Sequence, residues 1–301
     1  MSLEVIQPLT MLSKQFDSFV PKMADVESVH QLLDLWLHGK SSQSQRAYRS
    51  DVAQFLSFVG LKPLTRVTLN DVQQWANILV EEGKSAATQN RKLAAIKSLL
   101  RFGHRIGYLP FDVGNPVELP KTKNTLAERI LSELEVMTMI ALESSKRNQL
   151  LIRFLYISGA RVSEVSGIKW RDIKAVGDRG QVTLFGKGSE TRMVPIPSEL
   201  FQELLLLRGE QNQDEPLFRS KKGGALQPNQ IREIIANAAK KVGIEGNVSP
   251  HWLRHSHASH SLDRGAPIQL VQNTLGHKSV GVTSRYLHAR PGDGSSLYLP
   301  G

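Results

Sequence analysis

The chain has 301 residues, 40% of them hydrophobic, enough for one large or two ordinary globular cores. Lys and Arg total 38 against 28 for Asp and Glu, and the net charge of +10 favours a polyanionic partner, nucleic acid before an anionic membrane surface. Cysteine is absent, which excludes a disulfide framework, a thiolate metal site and a cysteine nucleophile, and no stretch reaches the roughly 20 apolar residues of a membrane span.

The opening "MSLEVIQPLTMLSKQF" carries acid early and no apolar segment behind a basic start, so no signal peptide is expected and the address is cytoplasmic. The first third then reads as helices. "SSQSQRAYRSDVAQFLSFVG" sets Tyr48, Val52, Phe55, Leu56 and Val59 on one stripe. In "TLNDVQQWANILVEEG" the stripe is Val72, Trp75, Ala76, Leu79 and Val80, with Thr68 as N-cap, Asp71 three residues on and Gly83 at the end. "SAATQNRKLAAIKSLLRFGHRIGYLP" aligns Leu93, Ile96 and Leu100 among Arg91, Lys92, Lys97, Arg101 and Arg105. These helices make a small all-helical domain with basic faces, residues 24–118.

Pro110, Pro116 and Pro120 interrupt "LPFDVGNPVELPKTKNTLAE", and a second domain, 119–301, begins there. It opens with a capping-box helix at Ser132 and Glu135 and continues through "NQLLIRFLYISGARVSEVSGI". "QVTLFGKGSETRMVPI" predicts two β runs around a glycine turn, a hairpin, after which helical periodicity returns. The fold class is mainly α, the second domain carrying a small antiparallel sheet.

The informative residues are polar ones in apolar helical context. Arg161 follows a Gly-Ala break with Glu164 one turn on; singly, a surface ion pair is the commoner reading of Arg-x-x-Glu. Lys187 sits between glycines in "FGKGSETR", where the backbone turns tightly and an ammonium has a transferable proton; an ordinary turn lysine has the same look. "GKGS" lacks the layout of a nucleotide phosphate loop, so ATP chemistry is set aside. In "SPHWLRHSHASHSL", His251, Arg254 and His255 share a helix face that Ser249 and Pro250 begin. The spacing of the two histidines suggests zinc, but Trp252 stands where a metallopeptidase has glutamate, and an arginine beside the pair repels a cation. Phosphate suits the set better, and His257 and His260 read as structural or exposed. His277 follows Gly276 in "LGH", and Tyr286 lies nine residues beyond, whereas Tyr298 follows the run "PGDGSS".

In order, Arg161, Lys187 in a hairpin, "HWLRH", "LGH" and Tyr286 resemble the signature of the tyrosine recombinases, the family of Xer-type recombinases, Cre and phage integrases. "SQRAYRSDVAQFLSFV" and the helix-and-linker stretch to "FDVGNP" resemble its core-binding domain, so the likeness spans residues 24 to 288. It implies a C-shaped clamp on double-stranded DNA, a homo-tetramer in synapsis with a paralogous recombinase as a possible companion, and no cofactor or metal. It implies Tyr286 as nucleophile, forming a 3′-phosphotyrosyl link, with Arg161 and Arg254 on the phosphate oxygens. Lys187 would protonate the leaving 5′-oxygen, His251 would assist proton transfer at the tyrosine, His277 would bond the phosphate and Glu164 would orient the site. Arg49, Gln89, Arg91, Lys92 and Lys97 are candidate DNA contacts. The tail "LHARPGDGSSLYLPG" departs from the Xer-type pattern of a long docking helix, and Leu297, Tyr298 and Leu299 are candidates for an extended anchor on a neighbour. Three other activities compete: a type IB topoisomerase with the same groups, a catalytically silent DNA-binding accessory protein and, weakest, a metal-dependent nuclease.

Overall fold

Short polar side chains start the helices of the first of two units, Met1–Lys123. The structure, a computed structural model, describes residues 28–121, 126–186 and 190–289. Helix α1 (Val29–Leu37) opens on a capping box between Ser28 and Gln31, α2 (Ser42–Val59) on Ser41, α3 (Leu69–Glu81) on the Thr68–Asp71 box and α4 (Ala86–Arg105) on Ser85. Their apolar stripes meet in one core, where Trp36, Val52, Phe55, Val72, Trp75, Leu79, Ile96 and Leu99 are buried. Each such large side chain contributes about 1.5–3 kcal/mol by leaving water.

Val80 does not join that core. It is 59% exposed, because at 100° per residue it falls on the flank of the Val72–Trp75–Leu79 stripe. Lys92 is the opposite case: it lies on the buried stripe of α4 and is only 5% exposed. Its ammonium donates to Gln54 and stands 3.7 Å from the buried Asp51 carboxylate.

The second unit, Asn124–Gly301, begins with α5 (Glu133–Ala141), α6 (Lys146–Ser158) and α7 (Val162–Gly167). Strands β1 (Ile173–Val176), β2 (Arg179–Phe185) and β3 (Thr191–Ile196) form an antiparallel sheet in the order β1-β2-β3, in register Ile173↔Val182 and Thr183↔Met193. The expected hairpin is β2–β3. Strand β1 went unread because its four residues are half-buried or exposed and carry no apolar alternation. Helices α8 (Ser198–Arg208), α9 (Pro228–Lys241), α10 (Pro250–Asp263), α11 (Ile268–Leu275) and α12 (Val280–Thr283) follow, then a 3-10 turn over Ser284–Ala289. Phe154 and Leu155 of α6, Val182 and Ile196 of the sheet, Ile235 of α9 and Leu253 of α10 are members of the main core. Ala258, Leu262, Val271, Leu275 and Tyr286 form a smaller cluster that ties α10 and α11 to the 3-10 turn. Among the described residues no helix is long and apolar enough to cross a membrane.

Candidate active site

Two helix ends build the site. Helix α6 stops at Gly159 in the left-handed conformation, φ 57°, and α11 stops at Gly276, φ 62°. Packing adds to the backbone requirement, more at Gly159 than at Gly276. A Cβ on Gly159 would stand 2.6 Å from Leu275 Cδ2, and one on Gly276 would stand 3.2 Å from Arg192 Cδ.

Arg161, two residues past Gly159, is the residue before α7. Its backbone N–H donates to Glu164 Oε2 at 2.7 Å, Nη1 donates to Glu164 Oε1 at 3.0 Å, and Nη2 donates to the Gly276 carbonyl at 3.0 Å. Glu164 is buried and also accepts from Arg192 Nη1 and Nη2, both at 2.8 Å, while Arg192 Nε donates to the Thr274 carbonyl at 2.7 Å. Burial by itself would raise the Glu164 carboxyl, but the hydrogen bonds from Arg192 and the Arg161 backbone outweigh it and hold the group below the usual carboxylate range.

Arg254 of α10 enters the same place from beneath. It is buried, and its guanidinium donates to the carbonyls of Gly159 and Leu275, so it staples the ends of α6 and α11 together. Burial, then the charges of Arg161 and Arg192, lower its pKa to about 10, still protonated at neutral pH. His277, just past Gly276, pairs its Nδ1 with Thr283 Oγ1 at 2.8 Å. Burial, followed by Arg254 and Arg161, pushes its imidazole down to about 4.

Tyr286 is 3% exposed, and its hydroxyl lies 2.7 Å from His255 Nδ1. Burial raises the phenol above its ordinary value, while burial with His251 and Arg254 lowers His255 to about 4. His251 is not the tyrosine's partner. It stands one turn earlier at the surface, its ring centroid 6.4 Å from that of His255, because only i+4 on this helix faces the 3-10 turn.

Arg161, Gly186, Arg192, Gly276 and His277 line a cleft of about 270 Å³, which Lys278 and Glu190, an ion pair of 3.1 Å, also line. Lys187 directly follows Gly186 but lies outside the described residues, as do Tyr298 and the tail from residue 290. Arg192 and Thr283 were not singled out in the sequence, and His255, on the α10 face that suits phosphate, was given no role there. Arg192 carried a legible signal, since it shares the inward face of β3 with buried Val194 and Ile196.

The candidate DNA contacts all lie in the first unit, and the structure divides them. Arg49 pairs with Asp34 at 2.7 Å, Gln89 donates to the Lys84 carbonyl at 2.7 Å and Arg91 pairs with Asp51; both arginines are exposed and Gln89 is half-buried. Lys92 is withdrawn into the core, and Lys97 folds back onto the carbonyls of Asn115 and Val117.

A buried guanidinium, a second arginine, two neutral imidazoles and a tyrosine hydroxyl make a site suited to phosphoryl transfer. Residues 127–292 match the Phage integrase family, and residues 31–107 match the Phage integrase, N-terminal SAM-like domain. The chain belongs to the phage integrase family. It is a tyrosine-type site-specific recombinase, and within the family it resembles the Xer-type enzymes. It is 34% identical over 260 residues to the tyrosine recombinase XerC of Corynebacterium glutamicum, covering 83% of this chain and 82% of that protein. It is 31% identical over 284 residues to the tyrosine recombinase XerD of Bifidobacterium longum, covering 87% and 91%. The fold is also that of a lambda integrase tetramer bound to a Holliday junction, with TM-score 0.72 and 19% identity over 90% of this chain and 81% of that one. A XerH recombinase bound to its difH substrate shares it too, with TM-score 0.67 and 21% identity over 90% and 83%. These likenesses do not favour the topoisomerase or the silent accessory protein.

Proposed function

We propose that the protein binds double-stranded DNA in the cytoplasm and recombines it at a specific site with Tyr286 as nucleophile. The observation that carries this reading is the pairing of the Tyr286 hydroxyl with His255 one residue along α10 from the buried Arg254. Phosphodiester exchange without a metal needs cations fixed in the protein. Arg161 and Arg254 neutralise the non-bridging oxygens as negative charge builds on phosphorus. In the Nε2–H tautomer of His277, Thr283 O–H donates to Nδ1 across 2.8 Å and the Nε2–H is left to donate to a phosphate oxygen. Lys187 protonates the leaving 5′-oxygen, and Glu164 orients Arg161.

The Tyr286 oxygen bonds to phosphorus as the bond to the 5′-oxygen breaks. The 3′-phosphotyrosyl link keeps the bond energy, so the 5′-hydroxyl of a partner strand reseals it without ATP. Arg49, Gln89 and Arg91 of the core-binding unit contact the backbone, and the enzyme assembles as a tetramer on two sites.

The test is single-turnover cleavage of a nicked duplex carrying a site that the protein selects from a randomised DNA pool, in the presence of chelator. A denaturant-stable adduct forms with wild type and with Tyr298→Phe and is absent with Tyr286→Phe; an adduct persisting in Tyr286→Phe contradicts the reading.

A further inference from the structure

Glu190 is the one carboxylate among the described residues that line the cleft, which it shares with three cations, Arg161, Arg192 and Lys278. Arg161 and Arg192 both donate to the buried Glu164 carboxylate and are fixed by it. Lys278 has no such anchor: among the described residues its ion-pair partner is Glu190, 3.1 Å away. The backbones that carry the pair are pinned. Gly186 N–H donates to the Glu190 carbonyl at 2.7 Å, while His277, just before Lys278, donates its N–H to the Gln272 carbonyl at 3.1 Å and accepts from Gln272 Nε2 at 3.0 Å. Only the side chains are left to exchange partners, and they are exposed, 82% for Lys278 and 55% for Glu190. An ion pair so open to water contributes little to the fold and gives way to a competing anion.

We propose that Lys278 is a further phosphate-binding residue of this site, and that Glu190 holds it as a stand-in for phosphate until DNA enters. The carboxylate accepts from the ammonium as a phosphate oxygen does and carries the same single charge. When the DNA backbone enters, a phosphate takes the Lys278 ammonium and Glu190 is released to water. Glu190 thereby sets a threshold for binding in two ways. It neutralises Lys278 in the free enzyme, so capture of that lysine by DNA releases less counterion than capture of an unpaired one, and it repels the phosphate that replaces it. Removing the carboxylate therefore strengthens DNA binding, and part of the gain passes through Lys278. The proposal rests on the reading of this cleft as the seat of the DNA phosphate.

The experiment measures affinity for the duplex carrying the selected site, by fluorescence anisotropy from about 50 to 200 mM salt. Wild type, Glu190→Gln, Lys278→Met and the variant with both changes are compared, and neither substitution touches the core. Glu190→Gln is expected to bind about three- to fivefold more tightly, the range that an exposed pair allows, with a log–log salt slope steeper by about 1. Adding Lys278→Met to it is expected to weaken binding at least about threefold and to take that slope back. A Glu190→Gln gain of the same size with and without Lys278 overturns the proposal, because charge repulsion alone then accounts for it. So does an affinity and slope of Glu190→Gln that Lys278→Met leaves unchanged. The reading of the cleft is judged apart, by adduct formation with Arg161→Ala: a wild-type rate there removes the phosphate from this cleft, whereas loss of the adduct with no coupling between Glu190 and Lys278 sinks the Lys278 assignment alone.

Discussion

Arg192 is the residue on which the cationic half of the site is hung. It saturates the Glu164 carboxylate from one side while Arg161 meets it from the other, and it reaches the Thr274 carbonyl at the end of α11. Replacing it with Gln leaves a buried carboxylate short of two charge-assisted donors, a loss of about 3 kcal/mol that urea denaturation measures. Arg161 then loses its fixed geometry, so adduct formation falls more than DNA affinity does. Glu164, with its folded pKa depressed, stabilises the fold above its unfolded value and gives that stability up as acid protonates it. In Arg192→Gln the folded carboxyl titrates closer to its unfolded value, so the acid limb of the stability curve flattens, and a limb as steep as that of wild type refutes the role.

At the scale of elements, the ends of α6 and α11 matter more than their middles. Gly159→Ala forces a side chain at φ 57° into Leu275 and costs about 2 kcal/mol or more, measurable by urea denaturation; a variant as stable as wild type contradicts the packing. What the sequence disclosed at this scale was local chemistry. The Thr68–Asp71 and Ser132–Glu135 boxes, the Gly276 stop and the β2–β3 hairpin depend on residues a few positions apart, and all are found. Strand β1 had no pattern to read, and Lys92 hides on a buried stripe because its partners Gln54 and Asp51 come from α2. His255 was visible on its face of α10, but its bond to Tyr286 spans 31 residues and exists only once the small cluster around Leu262 and Leu275 has packed. Motif order carried the expectation of Tyr286 as nucleophile, and tertiary packing decided which histidine met it.

For the whole molecule, acid and salt are the informative variables. His255, His257 and His277 are each pushed to about 4, burial being the first cause in every case. The unfolded chain takes those protons near pH 6.5, the folded chain refuses them until about 4, and stability therefore falls as pH is lowered through that window. Thermal melts between pH 7.5 and 4 detect it, and a flat profile contradicts the buried, neutral state of these rings. The net charge of +10 predicts binding dominated by phosphate contacts. Affinity for duplex DNA is expected to drop roughly 10³-fold or more between 50 and 200 mM salt by fluorescence anisotropy, and a shallow slope contradicts it.

If Tyr286 is the nucleophile, it becomes covalently joined to DNA. Proteolysis of the trapped adduct followed by mass spectrometry of the nucleotide-bearing peptide tests it directly. Tyr286 is expected to carry a 3′-phosphonucleotide; a nucleotide on any other residue, or cleaved DNA with no linked peptide, contradicts its role as nucleophile.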